Sequence, residues 1–414
     1  MFEGPSRCLP WGMGSEVRAR AVDKVASLAG RPTDLATLWR ACTEVISTVV
    51  PHYWAPCFFT LDPASLLVTS HFHEGLDEFP PEALANEYYG EDVHKLVDVV
   101  RTQSGVSTIH EATGGDPSSS PRWQFNMSMG GDQELIARLR TRQGEIWGAI
   151  GLYREPGAPM FVEGDKEFLR AIGPHLALGA RRAMTFGEAT DPEAPDGPGL
   201  VVIDSDWQVR SATAGADHWL SRFPDGDSER GRLPAAVLSV AAQGLQDRKL
   251  GQPSTVAFSR VLANDGTWLL LHGAPLEGDD RPRVAVIIEP AHPARIYPLL
   301  MSAYELTERE RDVVKLVLTG SSTTEIAQTL VVSPLTVQNH LKSVFEKTGV
   351  RSRRDLVAKI FFTHYEPRFR DNEHRVLRGE PIRGGPLLRD HAERGTHHQN
   401  EQRQQSDDSV VDET

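Results

Sequence analysis

The sequence predicts a multidomain α+β protein: two α/β domains built on antiparallel sheets, then an all-α module of four helices, then a disordered tail. Three observations lead there. Residues 14–186 and 200–290 each carry short apolar runs of strand length, broken by turn residues and flanked by helical stretches. Between them, residues 187–199 (GEATDPEAPDGPG) are rich in proline, glycine and acid, which oppose helix and strand alike and mark a linker. Residues 306–365 instead place apolar side chains at helical spacing behind four successive helix-start signals. A length of 414 residues suits two or three domains, and 39% hydrophobic with 24% charged residues suits real cores.

The first region opens with two expected helices, residues 15–29 and 34–49. A strand pair follows, 57–61 and 66–73, turned at Asp62 and Pro63. After a helical and irregular middle come strands 134–140 and 146–153 and a closing helix, 165–184. The aromatic set Tyr53, Trp54, Phe58, Phe59, Trp123 and Phe125 either lines a small-molecule pocket or fills the core. His71, His73 and Glu74 with Cys57 have metal-ligand chemistry. Pairing Leu61 with Leu66, however, puts Cys57, Phe59 and Val68 on one face and both histidines on the other. Cys57 then reads as core, and no metal or cofactor is expected.

The second region begins with strand 200–203, a turn at Asp204–Asp206, and a second strand from Trp207. Helical stretches at 214–222 and 234–244 precede strands at 255–262, 267–272 and 284–289, with a hairpin turn at Asn264-Asp265-Gly266. A connector, 291–305, leads to the helical module.

In that module Thr307-x-x-Glu310 is a capping box, and Val313, Val314 and Val317 recur at helical spacing until Gly320. Ser322-x-x-Glu325 opens a second, short helix. Ser333-Pro334 is an N-cap with proline at the first helical position, launching a third. Ser352-x-x-Asp355 caps a fourth. Three residues separate helices two and three, the spacing of a helix-turn-helix. On the third helix Val337, Leu341, Val344 and Phe345 share the inward arc. Asn339, Lys342 and Ser343 face outward, with Gln338 on the flank. Amide side chains bond adenine edges, and a lysine reaches guanine or phosphate. Ser333, Thr336, His340 and the first turn of the second helix, Thr323 and Thr324, are the expected phosphate contacts, with Arg351 and Arg353 adding positive charge.

These residues carry a resemblance. Leu306 to Val314 (LTERERDVV), then Gly320, Glu325-Ile326-Ala327, Ser333, Thr336-Val337, His340, Val344 and Lys347 resemble the LuxR-type (NarL/FixJ-like) helix-turn-helix. The resemblance implies a transcription factor that binds double-stranded DNA as a homodimer and works with RNA polymerase. It assigns base reading to Gln338, Asn339 and Lys342, and dimerisation to the last helix, through Leu356, Val357, Ile360 and Phe361. Many relatives carry lysine where this chain has Gln338, so half-site preference does not transfer. The strand and helix order of the first region looks like a GAF domain, and that of the second resembles a PAS domain. Both imply sensor-type domains that hold a small-molecule ligand or present a dimer surface.

Charge needs partitioning before it is used. The chain holds 44 Lys+Arg against 57 Asp+Glu, net −13, which taken whole argues against nucleic acid. Residues 306–365 hold nine basic and six acidic residues, net +3; the tail, 366–414, holds eight and eleven, net −3; residues 1–305 therefore carry −13. Three cysteines, Cys8, Cys42 and Cys57, form no disulfide framework and no zinc motif. No apolar run is long enough for a membrane span and no signal peptide opens the chain, so a cytoplasmic protein is expected. No phosphate-binding G-x-x-x-x-G-K-[ST] motif and no phosphoacceptor receiver pattern is present. The GGDQE at 130–134 is similar to a diguanylate cyclase loop, but without its aromatic last residue or alternating layout it reads as a strand-entry turn. No titratable constellation is visible in the sequence, so no enzyme is expected. An enzymatic or adaptor role governed by the helical module is the alternative.

Overall fold

The computed structural model describes residues 15–75, 80–183, 198–226, 231–251, 256–276, 281–291, 301, 304–364 and 377–378, the side chains of 361–364 excepted. Most of the expected linker, connector and tail lies outside these residues. The first region runs α1 (Ser15–Ala29), α2 (Leu35–Ser47), β1 (Cys57–Leu61), β2 (Val68–Phe72), α3 (Pro81–Ala85), α4 (Leu96–Arg101), β3 (Val106–Thr108), α5 (Ile109–Ala112), α6 (Pro121–Ser128), β4 (Gln133–Arg140), β5 (Ile146–Arg154) and α7 (Glu163–Ala183). The second runs β6 (Gly199–Asp204), β7 (Val209–Ala212), α8 (Ala216–Leu220), α9 (Ala235–Lys249), β8 (Ala257–Leu262), β9 (Trp268–Leu276) and β10 (Arg283–Pro290). The helical module holds α10 (Glu308–Leu318), α11 (Thr323–Leu330), α12 (Pro334–Thr348) and α13 (Arg353–His364).

The two sheets are antiparallel and share one strand order. The first is β2-β1-β5-β4-β3 and the second β7-β6-β10-β9-β8, the same permutation in chain order. Alternation along β1 sends Phe58 to one face and Phe59 to the other. Phe58 joins a core with Val25 of α1, Trp39 and Ile46 of α2, and Phe168 and Ile172 of α7, whereas Phe59 joins Leu84, Leu96 and Tyr153 on the opposite side. Both faces are covered, so every residue of β1 is buried, the polar Thr60 included.

The linker suggested two separate cores, but the first and second regions share one. Val68, Leu84 and Leu96 lie in the same apolar cluster as Trp219, Val240, Leu245 and Val286. The bridging element is α9, eleven of whose fifteen residues are buried. It packs on β9, β10 and β8 and also on β2 and α3. Its alanines and the facing Gly273 permit the close approach: a Cβ on Gly273 would lie 2.6 Å from the Val240 carbonyl oxygen. Polar links reinforce the joint. The Ser239 hydroxyl donates to the Val68 carbonyl at 2.8 Å. The Arg260 guanidinium forks onto Asp62 (Nε to Oδ2 2.8 Å, Nη2 to Oδ1 2.7 Å), and its backbone N–H donates to the same carboxylate at 3.0 Å.

One expectation of register is corrected. Leu66 adopts a left-handed conformation (φ 60°) and its N–H closes a turn onto Asp62 O at 2.7 Å, so β2 begins at Val68. Leu61 pairs with Val68, and an irregularity between Thr60 and Leu61 shifts the rest of the ladder to Phe59 opposite His71. A one-residue shift exchanges the faces. His71 therefore shares a face with Phe59, their rings stacked at 4.5 Å, with His73 at 4.8 Å from His71. Among the described residues no group of three or more His, Cys, Asp or Glu is placed to hold a metal ion.

Candidate nucleic-acid interface

Each helix of the module is started by the residues that signalled it. Thr307 and Glu310 exchange both bonds of a capping box on α10, and Ser322 with Glu325 does the same on α11. Ser333 caps α12 by accepting from Thr336 N–H at 3.0 Å, and Ser352 accepts from Asp355 N–H at 3.1 Å at the head of α13. Between α11 and α12 the chain reverses through Val331, a β-branched residue in the left-handed region (φ 56°), and α12 ends at Gly349 (φ 67°). Val313, Val314, Val317, Ile326, Val337, Leu341, Val344, Leu356 and Ile360 close the module's core.

Burying Val337, Leu341 and Val344 fixes what α12 shows to solvent. Gln338, Asn339 and Lys342 are exposed; His340 and Thr336 are half-buried. Thr324 and Arg351 are exposed, Thr323 half-buried, and Ser333 is exposed but engaged as the cap. Arg353, half-buried, donates to Ser321 O at 2.7 Å, which ties α13 to the start of α11 rather than leaving its guanidinium outward. The outward placement of Ser343 is corrected: its hydroxyl donates to Glu310 Oε1 at 2.6 Å. Lys347 donates to Glu310 Oε2 at 2.6 Å, so one buried carboxylate braces α12 against α10. Burial opposes the charge of Glu310, but bonds from Lys347, Ser343 and Thr307 outweigh it and hold the carboxyl below the usual glutamate range. Sequence reasoning saw Glu310 only as a cap; its second role needed the tertiary contact. Two exposed apolar residues at this end were also missed, Val331 (88%) and Leu335 (65%).

The dimerisation assignment is corrected in part. Leu356 and Ile360 are 0% and 1% exposed inside the module's own core, so they fill the domain and present no surface. Val357 is half-buried against that core, and the Phe361 side chain lies outside the described residues.

The module also touches the first and second regions. Arg311 Nη2 meets Glu145 Oε1 at 3.1 Å, and Arg181 pairs with Glu305 just ahead of α10. Trp268, Leu270 and Ala291 pack against the module's core. Among the described residues nothing covers the exposed stripe of α12.

The first region holds a cavity of about 80 Å³ lined by Phe59, Tyr153, Phe125, Glu87, Arg122 and Asn126 among others. It is well short of the roughly 300–1,000 Å³ of a drug-sized site. Of the aromatic set, Phe59 and Phe125 line it. The rest are corrected: Phe58 points to the other face and stacks on Trp39 at 4.5 Å, Tyr53 is 53% exposed, Trp54 packs behind Tyr153, and the Trp123 indole donates to Asp132 at 3.0 Å. Titratable side chains do converge here, contrary to the expectation. Arg122 bridges Glu87 and Glu134 (Nε to Glu134 Oε2 2.5 Å), His94 Nδ1 lies 3.0 Å from the same Glu134 oxygen, and Leu96 N–H donates to Glu87 at 2.6 Å. Burial works against the Glu134 charge, but Arg122 and His94 hold its carboxyl down at about 2. Four residues from α6, β4 and the segment between α3 and α4 share no sequence spacing that would announce them.

The profile of the family described as bacterial regulatory proteins, luxR family, matches residues 304–360. The spore germination protein GerE of Bacillus subtilis is 40% identical over 55 residues, 13% of this chain and 74% of that protein. An HTH-type transcriptional regulator of Mycobacterium tuberculosis is 56% identical over 52 residues, 13% of this chain, which spans only 6% of that relative's length. Among solved structures, the phycocyanobilin-bound GAF domain of a cyanobacterial phytochrome covers 40% of this chain and 94% of its own at 16% identity, with a TM-score of 0.30. That likeness is too slight to bear on the first region's fold or ligand.

Proposed function

This chain belongs to the luxR family of bacterial regulatory proteins, and from that premise we propose that it is a sequence-specific DNA-binding transcription regulator. What supports the reading most is one observation: α12 buries Val337, Leu341 and Val344 and turns Gln338, Asn339 and Lys342 to solvent. A helix anchored so, at the end of a short turn, presents its N-terminal half to a major groove. The exposed N-terminal turns of α11 and α12 offer backbone N–H groups to phosphate. We read it as a cytoplasmic homodimer that acts with RNA polymerase; among the described residues no helix is long and apolar enough to cross a membrane.

The two sheet-bearing regions are read as sensors, GAF-like and PAS-like, joined into one body by α9 and the Asp62–Arg260 pair. The cavity beside Arg122, at about 80 Å³, has room only for a very small ligand; a larger one of about 270 Å³ between the two sheet regions, lined by Trp39, Thr69, His71, Val261 and Asn264 among others, is the candidate ligand site. Control by covering the DNA-reading face has no support in the described contacts, because the α12 stripe is exposed. We propose instead that Glu145 and Arg181 restrain the module's orientation, and that a ligand shifts that restraint. The competing reading, an enzyme in the first region, draws on the Glu87–Arg122–Glu134–His94 cluster. Arg122, His94 and the Leu96 N–H already occupy these carboxylates, which suits a brace better than an acid or base in action.

Genome-wide mapping of bound DNA in the source organism tests the proposal. A recurring motif upstream of genes is expected. Uniform occupancy, unchanged by Asn339→Ala with Lys342→Ala, would remove it.

A further inference from the structure

Leu335 is the second residue of α12, after the Ser333 cap and Pro334. It is 65% exposed and is not among the residues packed against the module's core. At 100° per residue it lies within about 20° of Lys342 and between the azimuths of Gln338 and Asn339. The four side chains thus form one stripe, with Leu335 at its N-terminal tip. The other three are polar or cationic, and the first acid on this helix, Glu346, comes a full turn beyond Lys342.

A lone exposed leucine is ordinary on a protein surface. Its place is not ordinary. The N-terminal residues of a recognition helix go deepest into the major groove. There a branched apolar side chain has no hydrogen bond to make, and one base feature for it to meet, the C5-methyl of thymine. Pro334 and the Ser333 cap fix the backbone of this turn, so the side chain is held at the stripe's tip with little freedom to fold away.

We propose that Leu335 selects a thymine in each half-site by packing on its C5-methyl, next to the bases read by Gln338 and Asn339. This rests on the DNA-binding reading and adds a base preference that neither amide nor lysine supplies.

The test uses the full chain. Duplexes are selected from a random pool, and each thymine of the enriched site is then replaced by deoxyuridine, which removes only the methyl group. Expected is one thymine per half-site whose replacement weakens binding about threefold to tenfold, the worth of one buried methyl-sized contact. In Leu335→Ala the same replacement should change nothing further, while Leu335→Met keeps the sensitivity. Circular dichroism should match wild type, because the site is exposed. Methyl effects that persist undiminished in Leu335→Ala, or an enriched site with no methyl effect at all, would overturn the assignment. A pool that yields no enriched sequence would instead overturn the DNA-binding reading beneath it.

Discussion

Glu310→Ala removes a side chain that never faces DNA, yet it should unsettle the helix that does. The carboxylate accepts from Thr307 N–H at 2.8 Å, from the Ser343 hydroxyl at 2.6 Å and from Lys347 at 2.6 Å. Loss of its half of the capping box costs about 1 kcal/mol. The Ser343 bond to a charged acceptor contributes about 1.5 kcal/mol, the low end for such bonds. Lys347, 27% exposed, can return to water, so its share stays below about 1 kcal/mol. These terms share one partner and are not additive, which leaves about 2–3 kcal/mol. Hydrogen exchange of the α12 amides in the full chain reads this directly, as about 30- to 150-fold faster exchange. Glu310→Gln keeps one oxygen to accept from Thr307 N–H and turns an NH2 to the Ser343 hydroxyl, which then accepts, so a smaller change, below about tenfold, is expected. Because the folded carboxyl titrates below the ordinary glutamate range, its contribution is complete above that range and is lost as pH falls through the folded value. The alanine effect should accordingly shrink in acid. Exchange of α12 within about twofold of wild type at neutral pH would refute the bracing role.

Other outcomes follow from the same contacts. Asp62→Ala removes the forked carboxylate partner of the Arg260 guanidinium, 9% exposed, at the joint between the two sheet regions. Removing one partner of such a pair costs about 3–5 kcal/mol, and a fall in thermal midpoint of about 6–20 °C is expected; a fall under about 2 °C would contradict a shared core. Asn339→Ala and Lys342→Ala should each weaken specific binding by about 5- to 150-fold while leaving the fold intact, and retained affinity in both would dismiss the base-reading stripe. Glu145→Gln loosens a partly exposed pair with Arg311 while sparing the Trp147 bond, so DNA affinity should rise about two- to fivefold; unchanged affinity would leave no restraint to release. Burial pushes the Asp225 carboxyl up to about 7, despite bonds from His71 and Ala235 N–H groups and the nearby Arg232 charge. The folded state thus prefers it protonated, and its contribution, complete below about pH 4, fades as pH rises through about 7. Thermal midpoints between about pH 5.5 and 8 should fall more steeply in wild type than in Asp225→Asn, and parallel slopes would argue against the shift.

The helical module was legible because each of its signals is local. Thr307, Ser322 and Ser333 cap within one turn of themselves, and a one-sided apolar stripe tells α12 which way to face. What lay hidden depended on chain segments far apart. Helix α9 is buried on both sides, so its apolar residues show no preferred face and give no hint that it joins two regions. The left-handed Leu66 and the irregularity at Thr60–Leu61 moved the β1–β2 register by one parity, which carried His71 to the face of Phe59. Glu87, His94, Arg122 and Glu134 meet only after folding. Leu356 and Ile360 have the spacing of an interface but are used as core, a choice that apolar spacing alone does not distinguish.

Sequence-specific reading by α12 is tested most directly by equilibrium affinity at fixed salt, comparing the full chain on its selected duplex with a scrambled duplex of the same composition. A preference of about 10³-fold or more is expected, largely lost when Asn339 and Lys342 are both alanine. Equal affinity for the two duplexes would contradict that reading.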